Sequence, residues 1–177
     1  MSVLGAALLP QLMPGARVGP FELVALAGRG GMGEVWLARG PEGDPVALKT
    51  LLPTSAADDK ARRMFLDESA LAARLRHPHI ASVGARGEHE GVLYYVMEWV
   101  EGASLDELSQ AARRQGRPLA LPVLLRVLRD AARGLHAAHE LRDEAGELLE
   151  VVHRDVSPQN ILVRRDGRPV LLDFGVA

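Results

Sequence analysis

Apolar and polar residues alternate with a period of two along much of the first hundred residues, as they do in strands that bury one face. Three such runs are separated by glycine-containing turns: residues 21–27, 34–39 and 45–51. Within the second run, Val35 and Leu37 are apolar. Glu34 and Trp36 alternate with them. This pattern predicts a half-buried antiparallel sheet in the first third of the chain.

A helix and two further strands are predicted to complete this region. Residues 58–75 should form the helix, which ends at the His77-Pro78 step because a residue that precedes proline disfavours the helical conformation. Two more strands are expected near residues 80–86 and 92–100. The result is a five-stranded sheet with one helix.

The second half of the chain is predicted to be mostly helical. Ser104 and Glu107 have the spacing of a capping box and should open a short helix, and a long helix should begin at Pro122. The apolar stripe of the long helix comprises Leu121, Leu124, Leu125, Leu128, Ala132 and Leu135. Short strands are expected around residues 151, 161–163 and 170–172. The order of elements indicates an α+β fold.

The composition is that of a folded globular domain, with 177 residues, 47% of them hydrophobic and 25% charged. A net charge of -2 with interleaved signs gives no footprint for nucleic acid or a membrane surface. The absence of cysteine excludes disulfides and is compatible with a reducing cytosol, so we expect a cytoplasmic protein. The apolar residues 3–13 are too short for a membrane span, and we interpret residues 1–20 as a loose N-terminal extension.

The glycine-rich segment at residues 28–33 fits G-x-G-x-x-G, and such a loop lets backbone N–H groups approach phosphates. A dinucleotide-binding fingerprint would need a helix after the glycines, whereas a strand is predicted there. A Walker-type P-loop would need lysine where Glu34 stands. The protein kinase pattern G-x-G-x-x-G-x-V between two strands is complete with Val35. On this motif alone, an ordinary flexible hairpin remains an alternative.

Lys49, on the third predicted strand, is the next candidate. It ends the sequence Val-Ala-Leu-Lys, and only two of the 21 basic residues in the chain are lysines. A strand lysine is usually a solvated edge charge, but a compact ammonium suits the phosphates of a nucleotide better than a guanidinium does. On the following helix Glu68 has apolar neighbours on both adjacent turns, so its carboxylate needs a partner, for which Lys49 is the natural candidate. The alternatives are that Glu68 reaches solvent, or that Asp67 is the partner.

The most specific motifs lie near the end of the chain, where residues 153–160 read H-R-D-V-S-P-Q-N and residues 173–175 read D-F-G. With these motifs in this order, the chain from residue 21 onward resembles the protein kinase family. The sequence G-R-G-G-M-G-E-V at residues 28–35 most resembles the glycine-rich loops of bacterial Ser/Thr kinases of the eukaryotic type. The resemblance implies a protein-kinase-like fold, with a β-rich small lobe at residues 21–100 and a hinge and partial large lobe at residues 101–177.

The resemblance also implies roles for individual residues. ATP would donate a phosphoryl group to a protein Ser/Thr hydroxyl with the help of Mg²⁺. Asp155 would act on the acceptor hydroxyl, Asn160 and Asp173 would hold magnesium, and Lys49 would bind phosphates while Glu68 holds Lys49. The implied cofactor-binding residues are Ala27, Gly28, Gly30, Gly33, Val35, Ala47, Lys49, Met97, Glu98, Val100, Leu162 and Asp173.

Three departures from the family pattern leave other functions open. Ala27 replaces a larger aliphatic residue, Ser157 replaces the usual catalytic-loop lysine, and the chain ends just after D-F-G. We therefore expect these 177 residues alone to be weakly active or inactive. One alternative is a nucleotide-binding pseudokinase or regulatory fragment. Another is a small-molecule kinase of the aminoglycoside-phosphotransferase type, although that group usually has His-Gly-Asp where this chain has His153-Arg154-Asp155.

Overall fold

The computed structural model describes residues 12–31, 33–56 and 58–174. Their backbone contacts divide into two compact units. The first comprises the described residues up to Leu66 together with Gly84–Trp99. The second comprises Asp67–Val83 and the described residues from Val100 onward. Within these three ranges, no helix combines the length and the hydropathy that a membrane span needs.

The first unit is built, in the part of the chain described, on a six-stranded sheet. Its strands are β1 Arg17–Val18, β2 Phe21–Arg29, β3 Gly33–Arg39, β4 Pro45–Leu51, β5 Val83–His89 and β6 Val92–Glu98. They lie in the order β1-β2-β3-β4-β6-β5, and the pairs from β1 to β4 and between β4 and β6 are antiparallel. Periodicity predicts five of these strands and misses β1, because a strand of 2 residues is too short to show a period.

The alternation along β3 does not identify the core face, because the face with Glu34 and Trp36 is more deeply buried than the face with Val35 and Leu37. Val35 and Leu37 are half-buried, whereas Trp36 is 3% exposed. Trp36 belongs to a buried cluster with residues from β1, β2, β3, β4 and β6, namely Val18, Phe21, Leu23, Trp36, Ala38, Leu48 and Tyr94. Both faces of this strand are therefore covered to some degree, and polarity alone cannot tell which is the core face.

Residues 12–20 cover this cluster. Val18 is 1% exposed, and Leu12 and Ala16 pack against the same core. The N–H of Gly15 donates to the carbonyl of Leu23 over 2.7 Å. The expectation of a loose extension is therefore wrong for residues 12–20, because their apolar side chains shield the Trp36 face. Residues 1–11 of the predicted extension lie outside the described residues.

The described residues also form four helices. Their bounds are α1 Pro53–Ala56, α2 Asp59–Ala72, α3 Leu105–Arg114 and α4 Leu121–His139. The second unit also contains an antiparallel sheet of β7 Gly102–Ser104, β8 Ile161–Arg164 and β9 Pro169–Leu171, in that order. The predicted helix at 58–75 ends three residues early, and α1 and β7 were missed because both are short. The strand expected around Val151 is wrong: that residue is buried in irregular structure.

Helix α3 begins as its sequence predicts. Ser104 is the N-cap: its hydroxyl accepts from the N–H of Glu107 over 3.1 Å, and the Glu107 carboxylate accepts from the N–H of Ser104 over 2.8 Å. The pKa of Glu107 lies below its usual value, mainly because its carboxylate accepts a hydrogen bond from the backbone of Ser104 and, to a lesser extent, because of its hydrogen bond with the Ser104 hydroxyl. Burial has a smaller effect in the opposite direction. The capping box is therefore confirmed.

Helix α4 turns a different face inward from the one its leucines predict. Its buried residues are Val127, Asp130, Ala131, Gly134 and Ala138. Leu124 and Leu135 are half-buried, and Leu121, Leu125, Leu128 and Ala132 are exposed. A Cβ on Gly134 would lie 2.9 Å from the carbonyl oxygen of His79, so α4 approaches this backbone more closely than any other residue would allow. Small residues, and not the leucine stripe, thus mark the packed side.

Candidate active site

The glycine-rich hairpin joins β2 to β3 in the first unit. The N–H of Gly30 donates to the carbonyl of Gly33 over 2.8 Å, which closes the turn. Gly33 is buried, and a Cβ there would lie 2.6 Å from the carbonyl oxygen of Thr50 on β4. A Cβ on Gly28 would meet nothing within 4 Å. The backbone of β4 therefore leaves room only for glycine at position 33. At position 28, packing within the described residues does not require a glycine.

Lys49 lies on β4 at the level of this hairpin. It is registered with Val35 on β3 and with Tyr95 on β6, and residues that face each other across strands share one side of a sheet. Its Nζ lies 5.6 Å from the centre of the Tyr95 ring, within range of a cation–π contact. The side chain is half-buried. The first unit thus places its ammonium on the same side as Val35, as a phosphate-binding lysine requires.

The predicted adenine-binding residues are divided between the two units. In the first, Ala47 is registered with Met97 and Val46 with Glu98; Ala47 and Met97 are both buried. Ala27 is exposed near the end of β2. In the second unit, Val100 packs with Ala81 and Val170, and Leu162 lies against the same cluster. Each subset is assembled within its own unit.

Glu68 lies on α2, on the part of the helix that belongs to the second unit. It is half-buried and shares a helix face with buried Phe65 and Ala72, whereas Asp67 is exposed. This burial favours Glu68 over Asp67 as the carboxylate that needs a partner. Its pairing with Lys49 stays a prediction.

His153 anchors the catalytic-loop motif in the second unit. It is 1% exposed, its Nε2 lies 2.8 Å from the carbonyl oxygen of Leu172, and its ring packs on Phe174 with centroids 4.6 Å apart. The carbonyl of His153 accepts from the N–H of Asp155 over 2.8 Å. One buried ring thus links the segment that carries Asp155 to the residues on both sides of Asp173.

Asp155 and Asn160 are held together by direct hydrogen bonds. The Asn160 amide group donates to the Asp155 carboxylate over 2.8 Å and to its main-chain carbonyl over 2.9 Å. The carbonyl of Asn160 accepts from the N–H of Leu172 over 3.0 Å, which connects this pair to the residue before Asp173. With the amide nitrogen donating to Asp155, the amide oxygen of Asn160 is the atom that can accept a cation. Asp155, Asn160 and Asp173, three residues separate in sequence, are thus brought together.

Two residues of this assembly adopt left-handed backbone conformations. Arg154 has φ 62° and Asp173 has φ 50°. Such φ values are uncommon in residues other than glycine because they cost conformational energy. They persist where surrounding contacts compensate for that cost, and they concentrate at functional sites. Here the contacts are the buried His153 ring and the Leu172 backbone bonds. The roles inferred from the sequence do not include His153 or Phe174. The indication available in the sequence is that His153 lies within H-R-D and Phe174 within D-F-G.

The hydroxyl of Ser104 takes part in the capping box of α3. The hydroxyl accepts from the N–H of Glu107 and also lies 2.9 Å from its carboxylate. Ser157 occupies the position of the family lysine and is half-buried; its carbonyl accepts from the N–H of Asn160 over 3.0 Å. Its backbone therefore supports the loop, while no cationic side chain is supplied at this position.

The donor set near Asp173 suits a hard cation. Mg²⁺ is bound by oxygen ligands, usually one or two carboxylates completed by water and phosphate. The Asp173 carboxylate and the Asn160 amide oxygen are groups of this kind. Across residues 12–31, 33–56 and 58–174, no group of three or more His, Cys, Asp or Glu side chains could hold a metal by itself.

Comparison with known proteins agrees with these motifs. The family model for the protein kinase domain matches residues 21–177. The chain is 42% identical over 181 aligned residues to the tyrosine-protein kinase MasK of Myxococcus xanthus, covering 100% of this chain and 28% of MasK. It is 39% identical to the serine/threonine-protein kinase PknE of Mycobacterium tuberculosis, covering 92% of this chain and 27% of PknE.

The fold is also shared with a solved kinase. The crystal structure of the M. tuberculosis PknI kinase domain superimposes with a TM-score of 0.74 and 36% identity, covering 94% of this chain and 62% of that one. The chain therefore belongs to the protein kinase family and has a protein-kinase-like α+β fold, as its sequence predicts. Its named relatives include bacterial serine/threonine-protein kinases, and it spans about a quarter of the length of the curated relatives given above.

Proposed function

We propose that this chain binds ATP with Mg²⁺ and provides the catalytic residues that transfer the γ-phosphoryl group to a Ser or Thr hydroxyl of a protein. The observation that carries this proposal is the hydrogen-bonded pair Asp155 and Asn160, linked through Leu172 to Asp173. In phosphoryl transfer, positioning and charge stabilisation are most of what a protein contributes. A carboxylate that is held by hydrogen bonds beside oxygen groups able to bind a cation has these capacities.

Each unit contributes a separate part of the chemistry. Lys49, beside the glycine hairpin, supplies a point charge for phosphates, and Ala47 and Met97 offer an apolar surface to a purine. Asp155 orients the acceptor hydroxyl and receives its proton. Asn160 and Asp173 supply oxygen ligands for Mg²⁺, which when bound neutralises phosphate charge.

The proposal is tested by Asp155→Asn, which keeps the shape of the side chain and removes its basicity. Transfer should fall by about a hundred- to ten-thousand-fold, the usual range for a general base. Affinity for Mg-ATP should stay largely intact, because Asp155 acts on the acceptor. The assay uses labelled ATP and a mixture of protein substrates, with the 177-residue chain and a version continued by the rest of a relative's kinase domain. Transfer within a fewfold of wild type would contradict the assignment.

Two other outcomes of this assay correspond to different functions. Because MasK is named a tyrosine-protein kinase, phosphoamino-acid analysis should separate Ser/Thr from Tyr products. Ser157 favours a nucleotide-binding fragment without transfer activity, since it supplies no cation near the γ-phosphate. In the continued version, Ser157→Lys should raise the rate if that charge is what limits it. ATP binding without transfer in both versions would favour the pseudokinase function.

A further inference from the structure

Three side chains at the base of the glycine hairpin form a network that the proposed nucleotide chemistry does not use. Glu34 is 6% exposed, and its two carboxylate oxygens accept from different donors. One accepts from Arg29 Nη2 over 2.5 Å, and the other accepts from the indole N–H of Trp36 over 3.1 Å. A buried carboxylate is costly unless it is paired and hydrogen-bonded, and here both requirements are met.

This network lies on the side of the sheet away from the predicted nucleotide-binding residues. Successive residues of a strand point to opposite faces, so Glu34 and Trp36 share one face of β3 and Val35 takes the other. Lys49 is registered with Val35 and lies on that second face. Arg29 is the last residue of β2 and is registered with Glu34.

The Arg29–Glu34 pair spans the turn at its two ends. Arg29 directly precedes Gly30, Glu34 directly follows Gly33, and the backbone bond between these two glycines closes the turn. Glycines lose more conformational freedom on ordering than other residues do. A charge-assisted hydrogen bond at the base of a glycine turn offsets part of this cost, and the bond to Trp36 fixes the carboxylate to the core.

We propose that Arg29, Glu34 and Trp36 are positioning residues, which hold the hairpin in the conformation whose N–H groups receive the phosphates of ATP. This inference rests on the proposed function. The rival explanation is that Arg29, whose side chain is 65% exposed, binds the phosphates directly. The two explanations differ in what Glu34 does: a positioning carboxylate supports nucleotide binding, whereas a carboxylate that merely occupies the guanidinium competes with it.

The test measures affinities for Mg-ATP and for adenosine in the 177-residue chain. Arg29→Ala and Glu34→Ala should each weaken Mg-ATP binding by about three- to tenfold, and the double variant should be no weaker than the worse single one. Adenosine affinity should not change, because adenosine has no phosphates for the turn to receive. Arg29→Lys should restore part of the loss, since it keeps a cationic donor. Glu34→Gln keeps the shape of the buried side chain and replaces Glu34→Ala should that variant not fold.

The matched control is Arg39→Ala. Arg39 faces Glu22 across the other end of the same hairpin, with Nη1 and Oε2 3.9 Å apart. This variant should bind Mg-ATP as the wild type does. Unchanged or tighter Mg-ATP binding by the Glu34 variants would overturn the inference, and so would equal losses for ATP and adenosine. Either of these overturning results, obtained while the wild type binds Mg-ATP and Lys49→Ala weakens that binding, would refute the positioning role alone. No Mg-ATP binding by the wild type would refute the proposed function and this inference together.

Discussion

Replacing His153 by Phe removes both hydrogen bonds of this buried side chain, the one to the carbonyl of Leu172 and the one that its Nδ1 accepts from the N–H of Asp155 over 3.4 Å. The substitution keeps a ring of similar width against Phe174. The carbonyl of Leu172 then loses its partner over 2.8 Å in a site where His153 is 1% exposed. An unsatisfied buried acceptor costs about 1–3 kcal/mol. His153→Ala also removes the ring that packs on Phe174, and the total should reach about 3–5 kcal/mol. Since a domain is stable by about 5–15 kcal/mol, the Phe variant is the informative one.

Urea unfolding followed by circular dichroism measures this loss, and Mg-ATP titration measures its effect on the site. Leu172 directly precedes Asp173, so we expect His153→Phe to weaken magnesium-dependent ATP binding as well as the fold. The control is His79→Phe. The Nδ1 of His79 lies 2.9 Å from the carbonyl oxygen of Pro169, at the other end of β9. This control should lower stability without a specific effect on magnesium-dependent binding.

Two results would refute this reasoning. A stability loss below about 0.5 kcal/mol for His153→Phe would show that the carbonyl of Leu172 finds another donor. A loss of stability with unchanged Mg-ATP affinity would show that His153 supports the fold but does not position Asp173.

Other predictions concern packing, pH and the surface. Gly33→Ala should cost about 1–3 kcal/mol because its Cβ would lie 2.6 Å from a backbone oxygen, whereas Gly28→Ala, with open space, should cost no more than about 0.5 kcal/mol in urea unfolding. The pKa of Glu107 is lowered in the folded state, so its contribution is present above its ordinary value of 4.5 and lost as pH falls through the lower folded value. Acid unfolding of Glu107→Gln should therefore lack this part of the pH dependence. Leu125 and Leu128 are 57% and 50% exposed on one face of α4, so the chain should self-associate at high concentration, and replacing both by Gln should reduce association in sedimentation. A monomeric wild type at all concentrations would contradict this.

The motifs of the site could be read from the sequence because each needs a fixed spacing in a short segment. The capping box at Ser104, the hairpin glycines and the Asp155–Asn160 spacing are local features, and the structure places their hydrogen bonds where such features require them. The register of Lys49 with Val35 follows from the strand bounds, which periodicity locates within one or two residues.

Features that depend on distant segments could not be predicted in the same way. Trp36 is buried because residues from β1 and β2 cover it, and no pattern within β3 indicates this. The inward face of α4 follows Gly134, where the backbone of His79 comes close, and the larger leucines at 125 and 128 stay exposed. Asp130 is buried on the same inward face of α4. Burial alone would raise its pKa, but hydrogen bonding and charge from Arg129, with the charges of His79 and Arg133, lower it below the usual range.

Titration of the 177-residue chain with Mg-ATP tests the central claim most directly, because it asks whether Lys49 binds phosphates. The two lysines of the chain provide a matched pair: Lys49 is half-buried beside the hairpin, and Lys60 is exposed on α2. Lys49→Ala should weaken Mg-ATP binding by about tenfold or more, and Lys60→Ala should leave it unchanged. Removal of magnesium should weaken wild-type binding. Equal Mg-ATP affinity in the wild type and both variants, or no binding by any of them, would contradict the account.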